Sequence, residues 1–587
     1  MNRSTMVLGG AAALIAAAPF LIPDFYVNLL NYVGMATLVA LGLVLLTGVA
    51  GVVSFGQQAF VGMAAYTTAV LTTSTQLSPW LGLLASLALV ATAAVLLGVV
   101  TLRLSGHYLS IGTIAWGIAI YYLFGTLPGL GQYYGIDNIP PIRIGDFSFD
   151  TPLTLYLLIW SATLAALAAA RNLLDSRPGR AIRALRFRSA MAESFGIDAG
   201  ALKLVVFLYA ALLAGVAGWL HAHFLRFVSP HAFGINAGID YLFMAVIGGA
   251  AQVWGAVVGA SIVTLLREWL KDWLPKLFEH TGNYETIVFG VLMTLLLFRT
   301  RDGLTPYLTR WFPPTPQPVP PLATPVLPRR ERPPVGTVLL EAQGLHKAFG
   351  GLVAVKDMGL QLRAGEILGL IGPNGAGKTT MFNLISGTLA SDSGLVRLRG
   401  ERIDGQGARA IARLGLGRSF QHVHLVSQMS VLDNVALGAH LRGRHGTLAA
   451  MLRADRRDEA QLMAEAARQI ERVGLGDSMH KASGSLALGQ QRIVEIARAL
   501  AADPLVLLLD EPAAGLRWNE KQALAELLSN LRAEGLAVLI VEHDMEFVMG
   551  LVDRLVVMDF GEKLAEGLPL EMQAHPAVIE AYLGGVA

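Results

Sequence analysis

The sequence predicts an all-α polytopic membrane domain of about ten transmembrane helices, followed by an α/β P-loop domain. Only 15% of the 587 residues are charged, against about 25% in an ordinary soluble protein. The shortage is confined to the first part of the chain. Residues 1–170 hold seven charged side chains, which are Arg3, Asp24, Arg103, Asp137, Arg143, Asp146 and Asp150. In the second half, apolar strands alternate with polar helical stretches, a pattern typical of a parallel α/β sheet.

Runs of about 20 apolar residues are long enough to cross a ~30 Å hydrocarbon core. Such runs lie near 6–22, 28–50, 55–74, 80–102, 107–127, 152–170, 202–222, 240–266 and 284–300. We interpret 240–266 as two short crossings, because Gly248, Gly249 and Gly255 interrupt it. The first run is interpreted as an ordinary helix rather than a cleavable signal peptide, because no polar gap or clear cleavage site precedes the second.

The basic segment 171–203 indicates the orientation of the membrane domain. It carries six arginines and Lys203 against three acidic residues, and short basic loops stay in the cytoplasm. An even number of crossings before this segment places the N-terminus inside as well. The same arginines fit either a solvated topogenic loop or a docking element, and the two readings are compatible.

Residues 313–334 predict a tether between domains, because ten of the 26 prolines fall in these 22 residues. Proline lacks a backbone N–H and favours polyproline II. The predicted organisation is therefore a membrane domain at 1–310, a linker at 311–336 and a soluble domain at 337–587. The lack of cysteine excludes thiol catalysis and iron–sulfur clusters, and the net charge of +2 argues against a nucleic-acid partner.

The motif GPNGAGKTT predicts a phosphate-binding loop. It follows the apolar strand 367–371 and precedes a helical stretch, the setting that a P-loop requires. Glycine backbone N–H groups and the helix N-terminus surround phosphates in such loops. The candidate binding residues are Gly372, Asn374, Gly375, Gly377, Lys378, Thr379 and Thr380. Lys378 would reach the β- and γ-phosphates and the Thr379 hydroxyl would ligate Mg²⁺.

A second apolar strand, 505–509, ends in Asp510 and Glu511. A carboxylate at such a strand end can hold Mg²⁺ through its water shell, and a neighbouring carboxylate can orient or deprotonate a water. We assign these roles to Asp510 and Glu511, respectively.

The order of Phe349, GPNGAGKTT, Gln421, LALGQQR, DEP and His543 resembles the ATP-binding cassette of ABC transporters, over about residues 338–587. The resemblance implies ATP hydrolysis, with adenine stacked on Phe349 and His543 near the γ-phosphate. Gln421 would sense Mg²⁺ and the attacking water. Ser485, Gly489 and Gln490 fall in the signature segment, which would contact the nucleotide of an opposite cassette.

Two departures from the cassette pattern concern that opposite site. Ala487 and Leu488 replace the signature serine and first glycine, and Arg517 replaces an expected aspartate. We therefore expect ATP hydrolysis at the chain's own site. Whether this chain also supports hydrolysis at the opposite site is left open.

The membrane half resembles the permeases of branched-chain and hydrophobic amino-acid ABC importers. The stretches that carry this likeness include LTGVAGVVSFGQQAFVGMAAYTTAVL, SRPGRAIRALRFRSAMAESFGIDAGALKL and VIGGAAQVWGAVVGA. The cassette stretches FGGLVAVKDM and AEGLPLEMQAHPAVIEAYLG resemble the ATPase partner of the same systems. The chain thus looks like two subunits of one importer fused through the proline-rich tether.

This resemblance implies half of an ATP-driven importer in the inner membrane, in contact with lipid and with its cassette in the cytoplasm. The implied partners are a second permease and a second ATPase, or a second copy of this chain, and an extracytoplasmic solute-binding protein. The implied substrate is a hydrophobic amino acid. Import of urea or short amides is an alternative, export is less favoured, and a short helix at 181–196 is expected to dock near Gln421.

Overall fold

A computed structural model of the chain describes residues 15, 17–104, 106–187, 189–249, 252–278, 284–299, 303–304, 307 and 325–583. The described residues form two compact units. The first falls within Met1–Leu174 and Gly200–Pro316, and the second within Asp175–Ala199 and Gln317–Ala587. The basic segment between two apolar helices therefore clusters with the soluble part of the chain.

Helices dominate the first unit. They are α1 (Asp24–Leu43), α2 (Gln57–Ser74), α3 (Pro79–Thr101), α4 (His107–Thr126) and α5 (Pro152–Leu174). A hairpin of β1 (Ile142–Ile144) and β2 (Phe147–Phe149) separates α4 from α5. Within the second unit lie α6 (Arg177–Leu185) and α7 (Ser189–Ser194), and the first unit then continues with α8 (Ala199–Leu225), α9 (Ile235–Gly249), α10 (Gly255–Phe278) and α11 (Tyr284–Arg299).

Among the described residues, five helical segments are long and apolar enough to cross a membrane. They are Asp24–Val49, Pro79–Thr101, His107–Thr126, Pro152–Leu174 and Ala199–Leu225. The total of about ten stays a prediction. The first predicted run lies mostly outside the described residues, α9 has only 15 residues, and α10 carries charged side chains in its second half.

Glycine lets the helices of the first unit pack backbone against backbone. A Cβ on Gly42 of α1 would lie 2.9 Å from the Ala210 Cα of α8, and one on Gly259 of α10 would lie 1.7 Å from the Met244 carbonyl oxygen of α9. Such close approach between apolar helices is typical of membrane proteins. The glycines of the 240–266 run thus accompany a helix–helix turn, as the predicted interruption requires.

The second unit contains two sheets. An antiparallel sheet is formed by β3 (Val338–Phe349), β4 (Leu352–Arg363), β6 (Ser393–Leu398) and β7 (Glu401–Arg402). The other sheet has the order β12-β11-β5-β10-β9-β8 and is parallel except for β12. Its strands are β5 (Ile367–Ile371), β8 (Leu416–Arg418), β9 (Val506–Asp510), β10 (Ala537–Val541), β11 (Arg554–Asp559) and β12 (Glu562–Gly567).

Helices cover this parallel sheet, and three of them, Val431–Gly438, Arg456–Arg472 and Leu488–Ala501, pack on one another as a helical lobe. They are α12 (Lys378–Ile385), α13 (Ala408–Leu414), α14 (Val431–Gly438), α15 (Thr447–Met451), α16 (Arg456–Arg472), α17 (Leu488–Ala501), α18 (Trp518–Ala533), α19 (Met545–Met549), α20 (Pro569–Ala574) and α21 (Pro576–Leu583). All five residues of β5, β9 and β10 are buried. The ends of these strands therefore position the loops that follow them.

The end of the proline-rich segment packs on the soluble unit. Leu327 is 4% exposed among apolar residues of the helical lobe. The Arg330 backbone N–H donates to Asp503 Oδ2 at 2.6 Å, and Arg332 Nη1 donates to the Glu534 carbonyl at 3.1 Å. Residues 325–334 thus form a strap that touches both the helical lobe and the loops beside the parallel sheet. The earlier part of the predicted tether, up to residue 324, lies outside the described residues.

We expect Leu327→Ala to lower the stability of the purified chain, because truncation of a buried leucine costs about 2–5 kcal/mol. At roughly 2–4 °C per kcal/mol for a domain of this size, the apparent Tm in detergent should fall by about 5–15 °C. Val326→Ala is the matched control, since Val326 is exposed. Equal effects of the two substitutions would contradict the strap.

Candidate functional site

The loop 372–377 connects the buried strand β5 to α12. Gly372, Gly375 and Gly377 have φ values of 154°, 85° and 98°, a region that side chains with a Cβ avoid. A Cβ on Gly377 would also lie 2.2 Å from the Ala354 carbonyl oxygen. The loop backbone is therefore fixed by both conformation and space, and Asn374 and Gly375 at its tip are exposed.

Lys378 folds over this loop. Its ammonium donates to the carbonyls of Gly372 and Pro373 at 2.8 and 2.9 Å. Burial lowers the pKa of Lys378, while the carboxylates of Glu511 and Asp510 oppose that shift. The cation is thus placed beside the loop on one side and faces the two acidic residues. Thr379 is exposed and Thr380 half-buried at the start of α12.

Asp510 ends β9 and is 3% exposed. Its backbone N–H donates to Ser419 Oγ at 3.1 Å. Burial, with the neighbouring charge of Glu511, raises the pKa of Asp510 to about 6. Within the described chain, Asp510 Oδ1 is buried without a hydrogen-bond partner.

The residues present fit a Mg²⁺ ion. Carboxylate and hydroxyl oxygens are ligands that this ion prefers, and it commonly takes one or two carboxylates together with substrate phosphates. Asp510 Oδ1 offers an unpaired oxygen, and the Thr379 hydroxyl stands at the end of the phosphate loop. When bound, the ion would neutralise negative charge on phosphate oxygens.

Glu511 has φ of 47°, an uncommon value for a residue other than glycine. Two hydrogen bonds of the Glu511 backbone stabilise this conformation. Its N–H donates to the Val541 carbonyl at 2.8 Å, and its own carbonyl accepts from Arg492 Nη1 at 2.6 Å. This geometry points the carboxylate toward Gln421, whose Nε2 donates to Glu511 Oε1 at 3.2 Å.

His543 follows β10, next to the strand that ends in Asp510. Its Nδ1 lies 3.8 Å from Glu511 Oε1, and its side chain is 60% exposed. The structure therefore brings Gln421, Glu511 and His543 together from three separate loops. The exposed imidazole of His543 beside this carboxylate can contact a bound phosphate group.

Glu542 and Arg418 support this arrangement and were not predicted. Glu542 is buried and accepts from the backbone N–H groups of Ala513 and His543, at 2.6 and 3.2 Å. Arg418 donates to the side chains of Ser386 and Thr388, and its guanidinium lies 4.5 Å from the Phe420 ring centroid. A charged residue directly after five buried strand residues is the one sequence signal that could have identified Glu542.

The predicted adenine-stacking and signature residues lie on other elements, at the end of β3 and around the start of α17. Phe349 ends β3 and is about half exposed, with Lys347 Nζ 5.7 Å from its ring centroid. Ser485 is exposed, and Gly489 and Gln490 lie in the first turn of α17. Among the described residues, no hydrogen bond joins these four side chains or backbones to 372–380. Their predicted roles stay predictions.

The segment 175–199 docks within the second unit through a buried ion pair. The guanidinium of Arg180 donates to both carboxylate oxygens of Glu459 on α16, with 3.1 Å between Nη2 and Oε2. Burial opposes the charge of Arg180, but the attraction and hydrogen bond of Glu459 raise its pKa overall. Arg177 adds bonds to the carbonyls of His440 and His445.

A buried guanidinium connects the same segment to 419–430, the loop after β8 that carries Gln421. The Arg498 side chain is fully buried on α17 and lies 4.7 Å from the Phe195 ring centroid. Its Nη1 donates to the His424 carbonyl at 2.8 Å, and its Nη2 donates to Glu495 at 2.8 Å. Docking near Gln421 is therefore seen. The single helix expected at 181–196 is instead α6 and α7, and Arg180 is buried.

Known protein families match both the helical first part of the chain and its phosphate-loop part. Residues 25–297 match the branched-chain amino acid transport system permease component, 355–514 match ABC transporters, and 562–587 match the branched-chain amino acid ATP-binding cassette transporters. The branched-chain amino acid transport ATP-binding protein LivG of Salmonella typhimurium is 43% identical over 249 residues, covering 42% of this chain and 98% of LivG. BraF of Pseudomonas aeruginosa is 43% identical with the same coverage.

A solved nucleotide-free ATP-binding cassette from an ABC transporter is 29% identical and covers 42% of this chain and 99% of that chain, with a TM-score of 0.38. The phosphate loop, the acidic strand end and the matched families define an ABC-transporter ATPase that binds nucleotide and hydrolyses ATP. Joined to it is a permease domain with several apolar helices. The chain belongs to the family of branched-chain amino acid ABC transporters.

We expect Gly377→Ala to abolish most ATPase activity of the purified chain, because the added Cβ would displace the loop from the Ala354 carbonyl. Gly407→Ala is the matched control, since its Cβ would meet nothing within 4 Å and its φ is −73°. Steady-state phosphate release measures the effect. Comparable rates for the two variants would contradict a loop held by these contacts.

Proposed function

We propose that this chain is one half of an ATP-driven importer of branched-chain or other hydrophobic amino acids. The observation that carries the proposal is the docking of 175–199, a segment flanked by permease helices, into the ATPase unit beside the loop of Gln421. Arg498 contacts Phe195 of that segment and the carbonyl of His424, three residues after Gln421. Closure of the nucleotide site and movement of the permease would then share one mechanical connection.

In this proposal each cassette residue has a distinct task. Lys378 and the 372–380 backbone hold the β- and γ-phosphates, with Asn374, Gly375 and Thr380 lining the loop, and Phe349 stacks on adenine. Thr379, Asp510 and Gln421 hold Mg²⁺ directly or through water. Glu511 deprotonates or orients the attacking water, and His543 contacts the γ-phosphate.

The proposed machine needs two permeases and two cassettes. A second permease and ATPase subunit, or a second copy of this chain, would supply the other half. Ser485, Gly489 and Gln490 would face the nucleotide of that second cassette. An extracytoplasmic binding protein would deliver the solute to the inner membrane, with this cassette in the cytoplasm.

We expect cells that lack this chain to lose uptake of labelled leucine, isoleucine, valine or phenylalanine, and wild type to restore it. Lys378→Ala should not restore it, because the loop loses its phosphate-facing cation. Glu511→Gln should retain ATP without hydrolysing it, and should also fail to restore uptake. Selective loss of urea uptake, or full activity of Glu511→Gln, would contradict the proposal.

We expect Glu459→Gln to uncouple transport from hydrolysis. It leaves Arg180 buried without its charge partner, and breaking such a pair costs about 3–5 kcal/mol. Leucine uptake should fall about tenfold or more while ATPase activity of the purified chain persists.

Asp198→Asn is the matched control for that variant. Its ion pair with Arg409 is more exposed, and such pairs contribute about 0–1 kcal/mol. Uptake should therefore stay within a few-fold of wild type. A larger loss for Asp198→Asn than for Glu459→Gln would contradict docking through the buried pair.

A further inference from the structure

The start of α2 is an interior helix terminus of the first unit. The regular helix of α1 changes to a π-helix at Val44–Val49, and an irregular stretch leads from there to α2 at Gln57. Val52, Ser54 and Gly56 of this stretch are buried. Within a bilayer, such irregular backbone is found only where protein covers it or where it lines a water-filled cavity.

Two buried glutamine side chains at this terminus lack partners. Gln57 and Gln58 are each 1% exposed. In the part of the chain that the structure describes, both amide atoms of Gln57, Gln58 Oε1 and the indole Nε1 of Trp116 are buried without a hydrogen bond. Burying unpaired polar groups costs free energy, so several of them at one helix start require an explanation.

These groups come from helices that glycine brings close. A Cβ on Gly238 of α9 would lie 2.5 Å from Gln58 Oε1, and one on Gly117 of α4 would lie 3.0 Å from Gln58 Nε2. A Cβ on Gly56 would lie 2.4 Å from Cη2 of Trp116. The start of α2, the middle of α4 and the start of α9 therefore surround the Gln58 side chain, and none of these three glycines has room for a Cβ.

The N–H groups at the terminus suit an anion, whereas the unpaired Oε1 atoms of Gln57 and Gln58 are acceptors. Amide and indole N–H groups are donors, and the first backbone N–H groups of a helix have no partner within it. The helix dipole adds a partial positive charge there. Carboxylates of amino-acid solutes bind in this way at helix ends inside membranes.

A buried aromatic cluster continues from the terminus along the same side of α2. Gln58, Gly62 and Tyr66 are spaced by four residues and so share one face of the helix. A Cβ on Gly62 would lie 2.5 Å from Phe124 and 3.0 Å from Phe233, and Tyr66 stacks on Phe124 with ring centroids 4.6 Å apart. The donors therefore adjoin aromatic side chains in the interior of this unit.

We propose that Gln57 and Gln58 at the N-terminus of α2, together with Trp116 of α4, bind the carboxylate of the transported solute inside the permease unit. This assignment deepens the proposed function and rests on it. The donors select a solute with a carboxylate, and the aromatic face accepts its apolar side chain.

The test compares Gln57→Leu and Gln58→Leu with wild type, using the chain together with its partner subunits. A merely structural role predicts unchanged or higher thermal stability and normal uptake, because an unpaired buried amide is replaced by an apolar group of similar size. Carboxylate binding predicts at least about a tenfold loss of labelled-leucine uptake at saturating leucine. Normal uptake in both variants would overturn the proposal.

Thr37→Val is the matched control for these substitutions. Thr37 is buried in α1, and its hydroxyl donates to the Val33 carbonyl of its own helix. Uptake by this variant should remain near wild type. A loss equal to that of the glutamine variants would assign the effect to packing and overturn the proposal.

Photo-leucine labelling of the wild-type complex, without its solute-binding protein, gives a readout that does not depend on any variant. Cross-links within 55–62 or 107–126, reduced by excess leucine but not by leucinamide, are expected. Cross-links confined to other segments, or equal competition by leucinamide, would overturn the site. If wild type transports none of the four amino acids, the proposed function itself fails, which uptake by wild type alone reveals.

Discussion

The buried guanidinium of Arg498 is the interaction on which the organisation of the second unit depends. A buried charge is tolerated only when it is paired and hydrogen-bonded, and the partners of Arg498 come from three places. Glu495 lies on the same helix, the His424 carbonyl belongs to the loop of Gln421, and the Phe195 ring comes from the docking segment. Displacing any one of them leaves a cation buried with fewer partners. The helix α17, the loop that carries Gln421 and the segment 175–199 are therefore constrained to move together.

Local patterns predicted the parts of the site that lie next to one another in sequence. The phosphate loop requires glycines at left-handed φ values between a buried strand and a helix, so GPNGAGKTT and its flanks are informative without any distant contact. The acidic end of β9 is equally local. The break within 240–266 was also visible, because glycines there allow α9 and α10 to meet.

Long-range contacts were not predictable from spacing. Glu542 holds the Ala513 and His543 backbones only because β9 and β10 are neighbours in the sheet. The sequence left open whether the arginines of 171–203 are solvated or docked, since the partner of Arg180, Glu459, lies 279 residues away. The number of membrane-crossing helices is ambiguous for a related reason. Hydropathy alone leaves the count open at helices such as α10, whose first half is apolar and whose second half is charged.

Fusion through the proline-rich segment changes how the docking interface is maintained. In separate subunits, the docking segment would have to find its cassette by diffusion, whereas a covalent link gives it an effective concentration of the order of millimolar. The strap shortens that link further, because Leu327, Arg330 and Arg332 already lie on the cassette. A fused pair therefore tolerates a weaker interface than separate chains do. The burial of Arg180 against Glu459 is consequently better explained by the need for one defined orientation than by affinity, since a buried charge pair fixes geometry while adding little net stability.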